Sequence, residues 1–104
     1  MLGKWHLGVR DIYMPINRGF DEYLGIPFSQ DMGFSFWEGG LSKPNAPFQP
    51  TPLPLVNGTT VVEQPVALNT LPQRYGSAAA SFIARSAAAK EPFYLYMSFN
   101  HVRM

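Results

Sequence analysis

Glycine and proline fall so often between residues 9 and 54 that no long helix fits there. Residues 9–30 read as a loop-rich connection punctuated by Met14-Pro15, Arg18-Gly19-Phe20 and Leu24-Gly25-Ile26-Pro27. Between residues 33 and 54 the density rises again, through Gly39-Gly40, Lys43-Pro44, Ala46-Pro47 and Gln49-Pro50-Thr51-Pro52-Leu53-Pro54, and predicts an irregular surface excursion. Regular structure is therefore expected mainly in the second half. There, residues 53–56 and 59–62 flank Asn57-Gly58, a hairpin signal, and Asn57-Gly58-Thr59 is also an N-glycosylation sequon. Both readings put Asn57 on an exposed turn.

A helix is predicted next. Asn69 or Thr70 can cap it, and Pro72 is tolerated in its first turn. Tyr75, Ala79, Phe82, Ile83 and Ser86 then recur at helical spacing as a narrow core face. Lys90-Glu91-Pro92 ends the helix, because proline lacks the donor that would continue the ladder and restricts its predecessor. Residues 93–99, Phe-Tyr-Leu-Tyr-Met-Ser-Phe, show no polar alternation and suit a strand covered on both faces, as in a parallel sheet flanked by helices. A helix feeding such a strand is half of a βαβ unit, so the expected class is α/β. Open α/β sheets bind ligands beyond the carboxyl ends of their strands, which puts Asn100, His101 and Arg103 where a site is expected.

The second candidate region is Gly3-Lys4-Trp5-His6-Leu7-Gly8. In an extended segment residues i and i+2 face the same side, so Lys4 and His6 would address one spot while Trp5 faces away. An ammonium and an imidazole together suit the non-bridging oxygens of a sulfate or phosphate, and an imidazole can move a proton near neutral pH. Taken alone, so short a run reads more readily as a surface lysine and a half-buried histidine beside a core tryptophan.

Composition excludes several classes. The chain of 104 residues has room for one small domain, and 46% hydrophobic with 14% aromatic residues argues for a packed protein. A net charge of +1 without a basic cluster gives no footprint for nucleic acid and no polybasic anchor. There is no cysteine, hence no disulfide or thiolate site in these residues. No stretch approaches the roughly 20 apolar residues of a membrane span, and the first residues lack the apolar core of a signal peptide. The chain opens on its best motif and stops shortly after a histidine, so a piece of something larger is expected.

The order of motifs resembles the sulfatases. Gly3-Lys4-Trp5-His6-Leu7-Gly8 looks like the second signature of that family, and residues 18–33, Arg-Gly-Phe-Asp-Glu-Tyr-Leu-Gly-Ile-Pro-Phe-Ser-Gln-Asp-Met-Gly, look like the segment after it in arylsulfatases of the A and G type. Val62-Glu63-Gln64-Pro65, the helix and Pro92-Phe93-Tyr94-Leu95-Tyr96 continue the likeness. The resemblance implies that residues 1–104 are part of an alkaline-phosphatase-like catalytic domain with a mostly parallel central sheet, hydrolysing sulfate esters. It implies lysosomal or secreted localisation.

Carried over by residue, Lys4 matches the lysine that contacts sulfate and nucleophile, and His6 the histidine that handles the nucleophile's proton. Ser29 matches a serine with a supporting hydrogen bond. Related enzymes tend to have His-x-His after the aromatic strand, where this chain has His101-Val102-Arg103. Arginine cannot be a general acid, but its planar fork of donors can bind sulfate oxygens. His101 then becomes a candidate for the acid, unless the site is impaired.

The family nucleophile is a formylglycine made by the formylglycine-generating enzyme from Cys or Ser in a Cys/Ser-x-Pro/Ala-x-Arg context. Ser42-Lys43-Pro44-Asn45-Ala46 lacks the arginine and comes after Lys4 instead of preceding it. The family calcium ion needs about six oxygen ligands, which scattered Asp11, Asp21, Glu22 and Asp31 do not obviously supply. Nucleophile and metal ligands are thus expected outside the chain, which on its own is expected to be inactive. A related phosphoryl or phosphonate hydrolase, or a truncated non-catalytic product, are the alternative readings.

Overall fold

The computed structural model describes residues 1–37, 40–41 and 51–100. Its strands, in chain order, are β1 (Leu2–Gly3), β2 (Leu24–Gly25), β3 (Phe36–Trp37), β4 (Gly40–Leu41), β5 (Leu55–Asn57), β6 (Thr60–Glu63) and β7 (Met97–Ser98), with one long helix, α1 (Leu71–Ala89), before β7. Five strands form a sheet in the order β6-β5-β2-β1-β7, and β3 pairs with β4 in a separate ribbon. β1 runs parallel to both β2 and β7, whereas β2–β5 and β5–β6 are antiparallel. The chain is thus α/β with a mixed sheet. A mostly parallel sheet is expected from the sequence, and parallel pairing holds only around β1: the tight turn closed by Asn57 and Thr60 makes β5–β6 antiparallel, and β2–β5 is antiparallel as well.

α1 starts and stops where the sequence places it. Thr70 is its N-cap position, although its hydroxyl donates to the Ala67 carbonyl (2.7 Å) instead of accepting from the helix, and Pro72 lies in the first turn. At the far end Lys90 takes a left-handed conformation (φ 54°), and its N–H and that of Glu91 return to the Ala87 and Ser86 carbonyls. The connection from β6 to β7 carries α1 from one sheet edge to the other, across a single face. Leu71, Tyr75 and Ala79 of α1 pack there with Leu2, Ile26, Leu53, Leu55 and Val66. Each large apolar side chain removed from water there contributes about 1.5–3 kcal/mol.

Strand alternation sends the neighbours of these residues to the opposite face. Met1, Tyr23 and Val56 join Met14 in a second cluster, with Trp5, Ile16 and Phe20 packed against it from the loop-rich segment. Ahead of β2 that segment forms 3-10 turns at Asp11–Tyr13 and Pro15–Asn17. The core face of α1 is shorter than the sequence period suggests: Leu71, Tyr75 and Ala79 are buried, Phe82 and Ser86 are half-buried, and Ile83 is exposed where the helix runs past the sheet.

The aromatic strand departs most from expectation. Among the described residues only Met97–Ser98 of this run pairs, and only with β1, which leaves β7 at the edge of the sheet. Phe93, Tyr94, Tyr96 and Phe99 are exposed, Tyr94 by 72%. They are instead partly shielded by other rings, with Phe20 stacked on Tyr94 and Tyr96 and Phe82 set edge-on to Phe93. Covering on both faces needs a packed layer on each side: Leu95 and Met97 pack against the α1-side cluster, whereas Tyr94 and Tyr96 meet the Phe20 ring and stay exposed.

The two ends of the proline-rich excursion are pinned together. Phe34 bridges Pro52 in parallel, the Leu53 N–H donates to the Phe34 carbonyl (2.8 Å), and the Phe34 N–H donates to the Thr51 carbonyl (3.2 Å). Ser42-Lys43-Pro44-Asn45-Ala46 lies outside the described residues.

Two glycines let the parallel strands close. A Cβ on Gly3 would sit 1.8 Å from the Ser98 carbonyl oxygen, and a Cβ on Gly25 would sit 1.8 Å from that of Gly3. Neither oxygen can retreat without breaking strand pairing, and Gly3 also has φ +101°. Gly3→Ala or Gly25→Ala is expected to cost at least about 3 kcal/mol in a denaturant melt, the scale of severe backbone clashes.

Glu63 fastens the hairpin to the helix, since its carboxylate accepts from the Ala67 N–H (2.9 Å) and pairs with Arg74. Burial alone would raise the Glu63 carboxyl, but the Arg74 guanidinium and the Ala67 N–H together hold it below the ordinary glutamate value. A depressed carboxyl stabilises the fold at pH values above its unfolded pKa and loses that contribution as pH falls through the folded one. Stability measured against pH is therefore expected to fall on the acid side of the ordinary glutamate range, and Glu63→Gln is expected to flatten that limb.

Candidate functional site

The carboxyl ends of β2, β1 and β7 lie side by side, and the chain leaving β1 is laced to both neighbours. The Lys4 N–H donates to the Ser98 carbonyl (2.7 Å), the Trp5 N–H to Ile26 (3.1 Å) and the His6 N–H to Pro27 (2.9 Å). A regular strand would alternate these donors between its two sides. Here two successive donors, those of Trp5 and His6, turn to the β2 side, and His6 takes a left-handed conformation at φ 64°. The same-side expectation for Lys4 and His6 assumed extended backbone, so it does not apply beyond Gly3. What joins the two residues is the lacing, with Lys4 tied to the end of β7 and His6 to the segment after β2.

Trp5 packs on the face opposite α1. Its Nε1 donates to the Tyr13 carbonyl (2.8 Å), and Phe20 meets the indole edge-on at 6.4 Å between ring centres. Lys4 is half-buried and His6 is exposed. Ser29, two residues beyond the carbonyl that holds His6, is buried and opens the 3-10 turn Gln30–Met32 without capping it through its side chain. Lys4, His6 and Ser29 are therefore all on loops at one end of the sheet. His101 and Arg103 follow β7 in the sequence and lie outside the described residues.

Two buried tyrosines support this end, and no periodic pattern in the sequence signals either role. Tyr23 donates to the Gly3 carbonyl (3.1 Å), anchoring the residue before Lys4. Tyr75, on α1, donates to Asn100 Oδ1 (2.9 Å). Burial pushes both phenols well above their ordinary value, so both remain hydrogen-bond donors across the physiological range.

Asn57 is at the other end of the sheet. It pairs with Leu24 at the start of β2 and closes an exposed turn whose Gly58 has φ +65°. Two cavities of about 480 and 430 Å³ also open at that end, around Met1, Asp21 and Glu22, and neither is lined by Lys4, His6 or Ser29. Pocket shape alone would thus point away from the lysine and histidine, whose placement at the ends of parallel strands is the stronger indication. Among the described residues no group of three or more His, Asp or Glu side chains comes together. Glu22 is instead engaged in a bidentate pair with Arg85 (2.8 and 3.0 Å). These residues do not fit a calcium ion.

No family model matches the chain. Over its whole length it is 38% identical to human arylsulfatase G, of which it covers 23%. It is 33% identical to human arylsulfatase A across 97% of the chain and 21% of that protein. Against the N-acetylgalactosamine-6-sulfatase of Canis lupus familiaris the identity is 37% across 92% of the chain and 18% of that protein. The chain belongs to the sulfatase family. This sulfatase segment spans less than a quarter of the length of the curated relatives it matches.

The left-handed conformation of His6 costs a residue with a Cβ about 1–2 kcal/mol that glycine would not incur. His6→Gly in this sulfatase segment is accordingly expected to leave stability unchanged or raise it by up to about 1 kcal/mol in a denaturant melt, after the greater chain entropy of unfolded glycine is subtracted. A loss above that size would mean that the imidazole itself holds the fold.

Proposed function

We propose that these residues form part of a sulfatase catalytic domain of alkaline-phosphatase-like fold, and that the full-length protein hydrolyses sulfate esters to an alcohol and sulfate. The observation that carries this reading is the run Gly3-Lys4-Trp5-His6-Leu7-Gly8 at the carboxyl ends of parallel strands, in a chain 38% identical along its whole length to an arylsulfatase. A formylglycine outside these residues, made by the formylglycine-generating enzyme, supplies the nucleophile, and calcium ligands also lie elsewhere in the protein.

The parts played here concern charge and protons. Sulfuryl transfer crowds negative charge onto three non-bridging oxygens, and the Lys4 ammonium stabilises them where they need it most. His6, exposed at the site's rim, moves the proton that releases sulfate from the enzyme. Ser29 supports the anion through its hydroxyl. His101 protonates the leaving oxygen, and Arg103 binds sulfate oxygens through its fork of donors. Because the backbone of Lys4 is tied to the end of β7 and that of His6 to the segment after β2, their spacing depends on the β2-β1-β7 pairing being intact.

In the full-length protein Lys4→Ala is expected to lower kcat/KM for an aryl sulfate by at least about 100-fold, the scale of losing one preorganised charge-stabilising donor. The 104-residue chain alone is expected to give no turnover above the same substitution. An effect of only a few-fold would put Lys4 outside the site.

Passage through the secretory pathway would put a glycan on Asn57. The turn is exposed and lies at the sheet end away from Lys4, so a sugar there leaves substrate access free. Endoglycosidase treatment of protein from a eukaryotic secretory host is expected to remove mass, and Asn57→Gln to abolish that change. Identical masses before and after treatment would refute the glycan.

A further inference from the structure

Asn100 comes after β7 at the same sheet end as Lys4, and half of its amide has no partner. The residue is 7% exposed, its Oδ1 accepts from the Tyr75 hydroxyl at 2.9 Å, and its Nδ2 is buried with no hydrogen-bond partner among the described residues. The orientation of the amide is determined by its neighbour. The Tyr75 phenol stays protonated because it is buried, and the Ile26 backbone N–H faces the same phenolic oxygen, so the hydroxyl hydrogen goes to Asn100. Asn100 must answer with its carbonyl oxygen, which turns Nδ2 away from the helix.

A buried donor left unsatisfied costs the full desolvation of the group, and such atoms in folded proteins call for a partner. Tyr75 has already used the acceptor side. The partner of Nδ2 must therefore be an acceptor from outside the described residues. The strand end offers a place for one. The Lys4 backbone N–H is tied to the Ser98 carbonyl, two residues before Asn100, which brings a lysine and a neutral donor to the end of β7. A cation beside an unmatched N–H selects a ligand that only accepts hydrogen bonds and carries negative charge, which describes the non-bridging oxygens of a tetrahedral oxyanion.

We propose that Asn100 is an anion-binding residue of this site, its Nδ2 donating to a non-bridging oxygen of the sulfate group that Lys4 holds. The assignment rests on the sulfate-ester reading of Lys4. In it, Tyr75 is a positioning residue that acts through Asn100: α1 carries the hydroxyl that keeps the amide turned, and a site on loops thereby gains one donor fixed by the core.

The test uses the full-length protein with inorganic sulfate as the probe, read as the inhibition constant against an aryl sulfate and as the sulfate-dependent rise in melting temperature of each variant against its own sulfate-free value. Asn100→Ala is expected to weaken sulfate binding about tenfold, the loss of one hydrogen bond to a charged group. Asn100→Asp is more telling. It preserves an acceptor for Tyr75 but replaces the donor with a negative charge, and should weaken sulfate by at least about 100-fold. Tyr75→Phe should weaken sulfate less than Asn100→Ala, and adding it to Asn100→Ala should bring no further loss.

If Asn100 only ties the helix to β7, Asn100→Asp would bind sulfate normally, and Asn100→Ala would lower the melting temperature with its inhibition constant unchanged. That result overturns the proposal. Should Asn100→Asp fail to fold, the inhibition constant of Asn100→Ala decides alone. Sulfate binding that depends on Lys4 and ignores both Asn100 variants would sink the role of Asn100 while leaving the sulfatase reading of Lys4 in place. Sulfate binding that Lys4→Ala does not alter would refute both.

Discussion

The absence of two side chains governs this structure. Gly3 and Gly25 leave room for backbone oxygens where their own Cβ atoms would otherwise be, at 1.8 Å from the carbonyls of Ser98 and Gly3. Three parallel strand ends can therefore lie closer together at this point than side chains would permit. Everything that makes a site depends on that approach: Lys4 reaches the β7 carbonyl, Trp5 and His6 reach the β2 side, and the loops that carry Ser29 and Asn100 emerge at the same end. The strands are only two residues long, so little else defines the register there.

Support comes from below, through the two tyrosines. Each buries an aromatic ring in a different core cluster, one on the α1 face and one on the opposite face, and each spends its hydroxyl at the site end, Tyr75 on Asn100 and Tyr23 on the Gly3 carbonyl. A buried hydroxyl must find a partner, so the rings can pack only if those partners stay in place. The cores and the site end are thereby mutually dependent, and a site made of loops acquires fixed reference points. At the other end of the sheet the same chain offers surface features, the Asn57 turn and the Glu22–Arg85 pair, that do not touch this arrangement.

Local chemistry accounts for the parts that could be read directly. Pro92 and the period of Tyr75 and Ala79 define α1 almost to the residue, because helix termination and amphipathic spacing are local properties. The Asn57-Gly58 pair defines a hairpin for the same reason, although the observed turn centres on Gly58 and Thr59 and closes on an Asn57–Thr60 pair. β2 was invisible as a strand. Leu24-Gly25 looks like loop because glycine has no strand preference of its own, and only the nearness of Gly3 explains why a glycine is needed there. The aromatic run after Pro92 misleads in the opposite direction: ring-rich sequence suggests a covered strand, yet whether each face is covered depends on what packs against it in the tertiary structure.

The candidate site divides along the same line. Sequence alone determined which chemical groups are available, a lysine and a histidine between glycines, a serine after a proline turn, an asparagine, histidine and arginine after an aromatic run, and it determined the order in which they occur, which is the order of the sulfatases. It also established that no cysteine is present. Tertiary structure decided which of these groups share an end of the sheet, that His6 leaves extended geometry, and that Asn100 has one buried donor unmatched among the described residues. The reason is physical. Residue type and spacing fix what a side chain can do, but strand pairing and burial set where it stands and which of its hydrogen bonds are already taken.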